Sequence, residues 1–224
     1  MNFLFNYTPN SAIKSSLIIV GVLVVFFIVM YFFIRRVDPL KKTPIWLIPF
    51  LWVVDIVNSN VKNLIGKRWK TYAPLFLTLG IFIFFSNMSG LFNLDNPTGY
   101  LIVTFALGMI TFFTIQITGV VSLGVKGYLK GFLDPFPIML PMNIISELAL
   151  PISLALRLFG NITSGTAINT IVKGTFGWFS LPVVPFINLV LDIASGSIQV
   201  IVFVILSMIF TGAKIKDEEK IYSE

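Results

Sequence analysis

Residues 15–34 read SSLIIVGVLVVFFIVMYFFI, twenty residues without a charge. A helix needs about 20 predominantly apolar residues to cross the hydrocarbon core of a bilayer. The basic residues Arg35 and Arg36 follow this stretch, whereas a secretory signal carries its positive charge in front of the apolar region. The stretch therefore predicts a transmembrane helix that the mature chain retains.

The composition extends this prediction to the whole chain. Of the 224 residues, 56% are hydrophobic and only 12% are charged, whereas a soluble domain carries about 25% charged residues. The mean hydropathy is +0.92. These values exclude an ordinary soluble domain and a disordered chain.

The sequence contains no Cys and no His. Their absence excludes disulfides, thiolate metal sites and imidazole as a metal ligand or proton carrier. We therefore expect no metal site and no cofactor. Any proton carrier inside the membrane has to be a carboxylate or, less readily, Lys or Tyr.

Four further apolar stretches are long enough to cross a bilayer. The five predicted spans are residues 15–34, 72–92, 99–123, 142–172 and 181–212. The last two spans correspond to about 45 Å of helix at 1.5 Å per residue, whereas the hydrocarbon core is about 30 Å thick. We predict an all-α integral membrane protein, a single membrane domain over residues 1–224, whose last two helices are steeply tilted.

Residues 44–66 form a shorter segment of different composition. Its apolar part is interrupted by Pro49 and Asp55 and contains Trp46 and Trp52. Since Trp prefers the headgroup level of a membrane, we predict a helical segment that lies in the membrane interface. A re-entrant segment is the alternative.

The Lys and Arg residues are distributed unevenly between the two sides of the predicted bundle. Thirteen of the 16 lie in the loops after the first and third spans and in the C-terminal tail, and five crossings place these regions on one side. Lys14 and Lys173 lie on the opposite side. Because positively charged loops stay in the cytoplasm, we predict an external N-terminus and a cytoplasmic C-terminus. This orientation accounts for the net charge of +6, which therefore does not indicate a nucleic-acid partner.

Three charged residues lie inside predicted spans: Glu147, Arg157 and Asp192. Asp, Lys or Arg at the centre of a membrane helix costs about 2.5–3.5 kcal/mol, so these residues are candidate functional residues. The alternative is a structural ion pair, or snorkelling of Glu147 from near the end of its span.

Arg157 lies near the centre of the fourth span. Its guanidinium stays protonated in proteins, so it can act as a fixed positive charge but not as a proton carrier. No acidic residue lies three or four positions from Arg157 along the chain. This pattern indicates a counter-charge on another subunit.

Polar residues form stripes on the last two predicted helices. At about 100° per residue, four residues share the face of Arg157, namely Ser146, Ser153, Asn161 and Ser164. Thr166 lies on the opposite face of the same helix. On the fifth span, the spacing i, i+4, i+7, i+11 places four residues on one face, namely Asn188, Asp192, Ser195 and Gln199.

The two stripes predict two polar half-paths. With the last two helices antiparallel and Gln199 at the level of Arg157, Asp192 lies near the level of Thr166. This arrangement forms an outward-facing polar cavity that ends at Arg157. The polar residues of the inner side are Glu147, Asn143 and Ser146.

The residues around Arg157 resemble one known family. Residues 141–147 read PMNIISE and residues 151–161 read PISLALRLFGN, and they resemble subunit a of the F-type ATP synthase. Residues 153–161 are highly specific to that family. The likeness covers roughly residues 15–213 and includes Gln199.

The resemblance implies a stator subunit that passes protons through two offset half-channels to and from carboxylates on a rotating ring of c subunits. It implies that Arg157 faces the ring carboxylate and prevents a proton short-circuit. It further implies that Ser153 and Asn161 flank Arg157 and that Gln199 faces it from the last helix.

The resemblance also implies a non-catalytic chain, in agreement with the lack of a Gly-rich phosphate loop in the sequence. Its partners would be the c ring, peripheral-stalk b subunits, a nucleotide-binding headpiece and membrane lipid. A bacterial plasma membrane is the expected location, and an organelle inner membrane is the alternative.

This chain departs from the family at the outer relay. Many members carry Glu or His at the positions of Thr166 and Asp192. Here only Asp192 is ionisable, so it would relay protons alone, helped by water and Thr166.

Two other classes stay open from the residues alone. A stand-alone ion-coupled transporter or channel would use the same three charged residues, although such proteins more often show paired repeats with broken helices. An intramembrane enzyme is the other class, but this sequence has no His, no Cys and no carboxylate pair at catalytic spacing.

Overall fold

Helices account for all regular structure in the part of the chain that a computed structural model describes, residues 9–35, 44–89, 96–133, 136–177 and 180–215. The α-helices are α1 (Pro9–Arg35), α2 (Ile48–Ile65), α3 (Trp69–Met88), α4 (Leu101–Gly131), α5 (Leu140–Phe176) and α6 (Ser180–Ala213). Short 3₁₀ turns precede α2, α3, α4 and α5.

Five helical stretches are long and apolar enough to cross a membrane, namely Ile13–Arg35, Ile48–Met88, Leu101–Gly131, Pro137–Thr175 and Ile193–Ala213. They confirm the predicted all-α membrane protein with five spans. α5 has 37 residues and α6 has 34, which corresponds to about 55 and 51 Å of helix. Their steep tilt in a bilayer stays a prediction.

The segment predicted at residues 44–66 is helical. A 3₁₀ turn, Ile45–Leu47, leads into α2, and Pro49 stands in its first turn, where a missing N–H interrupts no helical hydrogen bond. Gly66 has a φ of 72°, which glycine adopts without strain, and the chain turns there into α3. α2 packs against α3 and α6, and its location in the membrane interface stays a prediction.

α3 and α4 have other bounds than the apolar stretches at residues 72–92 and 99–123. α3 begins at Trp69 and ends at Met88, and residues 90–95 lie outside the described residues. α4 extends to Gly131 but is broken at Gly124, where φ is 71° and ψ is 159°. The apolar stretch therefore ends where the helix breaks, and a short basic helix continues beyond the break.

The core lies between α3, α4, α5 and α6. Its central buried residues are Leu79, Ile83, Leu107, Leu154, Leu158 and Phe203. α4 and α5 approach closely where Gly108 meets the backbone of Pro151, because a Cβ at Gly108 would lie 2.6 Å from the Pro151 carbonyl oxygen. Small residues allow such approaches between membrane helices, where lipid tails are as apolar as the side chains.

The variant Gly108→Ala tests this contact. The added Cβ would force α4 and α5 apart, and we expect destabilisation by about 1–3 kcal/mol, the usual cost of overpacking. Thermal unfolding of the detergent-solubilised protein measures the change. Gly131→Ala is the matched control, because a Cβ at that position of the same helix meets nothing within 4 Å. Equal unfolding midpoints for the two variants would contradict the role of Gly108.

Candidate functional site

Arg157 lies on the exposed face of α5. Its neighbours Leu154 and Leu158 are buried in the core, 2% and 1% exposed, whereas Arg157 itself is exposed. Three residues of its predicted stripe are also exposed, namely Ser146, Ser153 and Ser164. Among the described residues, no hydrogen bond or ion pair involves the Arg157 side chain. The guanidinium is therefore a fixed charge on a helix face that the described chain leaves uncovered.

Asn161, one turn beyond Arg157, joins α5 to α6. Its Nδ2 donates to the carbonyl oxygen of Ser195 at 3.4 Å and to Oε1 of Gln199 at 3.3 Å. At the other end of the helices, Glu147 of α5 contacts Lys214, which follows α6. These contacts show that α5 and α6 are antiparallel.

Gln199 is buried, with 5% of its surface exposed. Its Nε2 has no hydrogen-bond partner among the described residues. A buried donor without an acceptor costs about 1–3 kcal/mol. The position next to Asn161 therefore favours an acceptor from outside the described residues, such as water.

The remaining predicted outer residues have fewer described contacts. Thr166 is exposed, and its Oγ1 donates to the carbonyl oxygen of Thr163 at 2.8 Å within α5. Asn188 and Asp192 belong to α6, and their side chains lie outside the described residues. In the register set by the contacts of Asn161 with Ser195 and Gln199, the backbone of Asp192 lies about opposite that of Thr166.

A second polar contact reaches α6 from α3. Asn87 is 3% exposed, and its Nδ2 donates to the carbonyl oxygen of Gly196 at 3.4 Å. Thr98, which is fully buried, donates to Oδ1 of Asn87 at 2.8 Å. Asn87 and Asn161 thus bond consecutive carbonyl oxygens of α6, those of Gly196 and Ser195. Asn87 and Thr98 were not among the predicted site residues, although an uncharged amide inside an apolar stretch was a signal for Asn87.

Glu147 lies in a polar cluster at the other end of α5. Its carboxylate forms an ion pair with Lys214, accepts a hydrogen bond from Nε2 of Gln116 at 2.7 Å, and lies 3.1 Å from the Tyr128 hydroxyl. The Tyr128 hydroxyl also lies against Oε1 of Gln116, and because it has one proton it donates to either Gln116 or Glu147, not to both at once. Nearby, Nδ2 of Asn143 donates to the carbonyl oxygen of Phe132 at 2.9 Å.

The sequence analysis missed the partners of Glu147. Gln116 was one uncharged residue of the predicted span 99–123, Tyr128 lay in the predicted loop after that span, and Lys214 counted only as one basic residue of the C-terminal tail. The common signal was weak, because the three residues are distant in sequence from Glu147. Only the packing of three helix ends brings them together.

The arrangement joins a fixed cation to polar groups on both sides along α5. Glu147 is ten residues before Arg157, about 15 Å along the helix, and the amides of Asn161 and Gln199 lie on the other side. Such an arrangement can attract a carboxylate and guide protons. Among the described residues, no group of three or more Asp or Glu residues could hold a metal ion.

Comparisons with known proteins place the chain in a family. Residues 15–212 match the family model described as ATP synthase A chain. The protein named ATP synthase subunit a of Enterococcus hirae is 36% identical, over 91% of this chain and 91% of its own length. ATP synthase subunit a 2 of Bradyrhizobium sp. is 37% identical, over 73% of this chain and 72% of its own length. Because the family model covers most of the chain and these relatives exceed 30% identity over most of their length, the chain belongs to the ATP synthase A chain family.

Proposed function

We propose that this chain is the proton-translocating stator subunit of a rotary F-type ATP synthase. It is a multi-pass membrane protein of a family whose members are named as subunits of that complex. The observation that carries the proposal is the guanidinium of Arg157 on the exposed face of α5, which no described part of the chain covers.

A charge on a face that no described part of the chain covers needs a partner. Leaving Arg at the centre of a membrane helix costs about 2.5–3.5 kcal/mol, and a carboxylate on a neighbouring subunit would offset that cost. A ring of c subunits that carry one carboxylate each supplies such a partner repeatedly. The exposed serines beside Arg157 support the same face as the contact surface.

The outer half-path is proposed to lie along the contact between α5 and α6. Asp192 is its proton carrier, with Asn188 and Thr166 beside it. From there the path leads past Ser195 and Asn161 to Gln199, whose unpartnered Nε2 supports water at this point. Asn87, which bonds the next carbonyl of α6, lines the same region.

The inner half-path is proposed to start beside Ser153 and to pass Asn143 and Glu147. Arg157 separates the two half-paths. Its guanidinium attracts the ionised ring carboxylate but cannot take the proton from it. A proton that enters from outside therefore binds the ring carboxylate, which becomes a neutral carboxyl group. The rotating ring carries this group around to the other side of Arg157, where the proton is released inward.

The setting of the chain follows from the same proposal. The chain is non-catalytic, and ATP is made in the nucleotide-binding headpiece, to which peripheral-stalk b subunits connect it. The location is the bacterial plasma membrane, with the N-terminus outside and the C-terminus in the cytoplasm. The excess of Lys and Arg in three predicted cytoplasmic regions supports this orientation.

The variant Arg157→Ala is expected to reduce ATP-driven proton pumping to background, because the ring carboxylate loses its fixed counter-charge. Arg157→Lys is expected to fail largely as well, since an ammonium cannot reproduce the planar guanidinium and can lose its proton when buried. Acidification of inverted membrane vesicles, normalised to the amount of assembled complex, measures both variants. Pumping at the wild-type rate in Arg157→Ala would refute the proposed function.

The variant Asp192→Asn is expected to slow proton flux by about a hundredfold, the lower end of what a positioned acid–base group contributes. The substitution keeps the size of the side chain but removes the ionisable group of the outer half-path. Passive proton flux through membranes stripped of the headpiece measures the effect. Asp55→Asn, an equal charge change at an exposed position of α2, is the control and should leave the flux unchanged. An unchanged flux in Asp192→Asn would mean that water alone fills the path.

Single cysteines test the proposed orientation, because the chain contains no Cys of its own. Thr175→Cys, at the exposed end of α5, is expected to react with a membrane-impermeant maleimide in intact cells. Lys130→Cys, exposed near the end of α4, is expected to react only after permeabilisation. The opposite labelling pattern would reverse the proposed orientation.

A further inference from the structure

All contacts of the Glu147 carboxylate in the described residues come from groups that can donate a hydrogen bond. Oε1 meets the Lys214 ammonium, and Oε2 meets Nε2 of Gln116 and the Tyr128 hydroxyl. The side chain of Glu147 is 15% exposed and that of Lys214 is 26% exposed. The carboxylate is therefore held on both oxygens in a place that water reaches only in part.

Two aromatic rings hold the Lys214 ammonium. Its Nζ lies 5.3 Å from the ring centroid of Tyr128 and 5.4 Å from that of Phe132. The two rings pack edge to face with their centroids 5.1 Å apart. Because a cation is attracted to the face of an aromatic ring within about 6 Å, the rings direct Lys214 toward Glu147 rather than into solvent.

The break in α4 brings these groups together. Tyr128 and Gln116 are twelve residues apart, about 18 Å in a continuous helix, yet their side chains are in contact. The positive φ at Gly124 folds the short helix back. The missing side chain at Gly119 makes room for the Tyr128 ring, since a Cβ there would lie 2.8 Å from its Cε2. Two glycines and one tyrosine therefore build the place that Glu147 occupies.

We propose that Lys214 is a positioning residue for Glu147 in the inner half-path, and that Gln116 and Tyr128 position the same carboxylate through its second oxygen. The inference rests on the proposed function and adds Lys214, Gln116 and Tyr128 to it. The carboxylate at position 147 serves proton release, and the ammonium keeps it in place between the ends of α4 and α6. If the ion pair served only to join α5 to α6, the second oxygen of Glu147 would not need its contacts with the Gln116 amide and the Tyr128 hydroxyl.

The variant Lys214→Gln is expected to lower proton flux per assembled complex by roughly tenfold or more, the factor that corresponds to the loss of one hydrogen bond to a charged group. Lys214→Arg keeps a cation at the same place and is expected to restore most of the flux. Lys130→Gln is the matched control, because Lys130 is an exposed cation in the same short helix as Tyr128, and the flux of this variant should equal that of the wild type. An equal loss in Lys130→Gln and Lys214→Gln would overturn the proposal, since the effect would then be one of general charge.

Exchange of the two charges separates positioning from mere stabilisation. The double variant Glu147→Lys with Lys214→Glu keeps an ion pair between the two helix ends but gives up the amide contact of Gln116 and the ring contacts of Lys214, so its flux is normalised to the amount of assembled complex. Its proton flux is expected to stay as low as that of Glu147→Gln, because no carboxylate stands at position 147. Wild-type flux in the exchanged protein would reduce the pair to a structural tie and overturn the proposal.

The variant Glu147→Gln with Lys214→Gln provides a second, independent measure. Lys214 acts through Glu147 in this proposal, so the double variant should pump no more slowly than Glu147→Gln alone. Multiplied losses would show that Lys214 acts elsewhere and would contradict the inference. Failure of the proposed function as a whole is recognised separately, by normal pumping in Arg157→Ala.

Discussion

An arginine in a membrane helix needs a counter-charge, and the described arrangement of α5 follows from that constraint. One side of the helix carries Leu154 and Leu158 into the core, and the other side presents Arg157 where the described chain supplies no partner. Hydrophobic burial orients the helix, so the face from which Arg157 projects is set before any partner arrives. The helix itself then needs no rearrangement when a carboxylate approaches, and the remaining cost is that of ordering the arginine side chain.

The polar residues around this charge use the backbone of α6 as their acceptor. Asn161 and Asn87 come from different helices and donate to the adjacent carbonyl oxygens of Ser195 and Gly196. A carbonyl oxygen has a second lone pair beside the one used in the helix, and it can therefore accept both bonds without loss of helical structure. The buried amide of Asn87 and the half-buried amide of Asn161 are satisfied at little cost, whereas Nε2 of Gln199 has no such partner in the described chain. The bundle thus contains both satisfied polar contacts that hold helices together and an open donor that water can use.

Much of the fold could be predicted from hydropathy, because a bilayer requires long apolar helices whatever their detailed packing. Arg157 and Glu147 stood out because charges are rare in such helices. The helical period placed Ser146, Ser153, Asn161 and Ser164 beside Arg157; the three serines are exposed, whereas Asn161 contacts α6. The contact between Asn161 and Gln199 required only that two polar faces meet. The partners of Glu147 could not be predicted in the same way, because they depend on the backbone break at Gly124 and on contacts across 19 to 67 residues of sequence. Lys214 was concealed among the basic residues that set orientation, since charge counts do not say which cation turns inward.

The contacts between α5 and α6 also have a mechanical consequence. Asn161 with Gln199 and Glu147 with Lys214 join the helices at two levels, fourteen residues apart on α5, or about 21 Å. Sliding of one helix along the other would break both contacts, so the two helices resist bending together. Arg157 lies between the two contacts, and a sideways force on its face is therefore borne by both helices together.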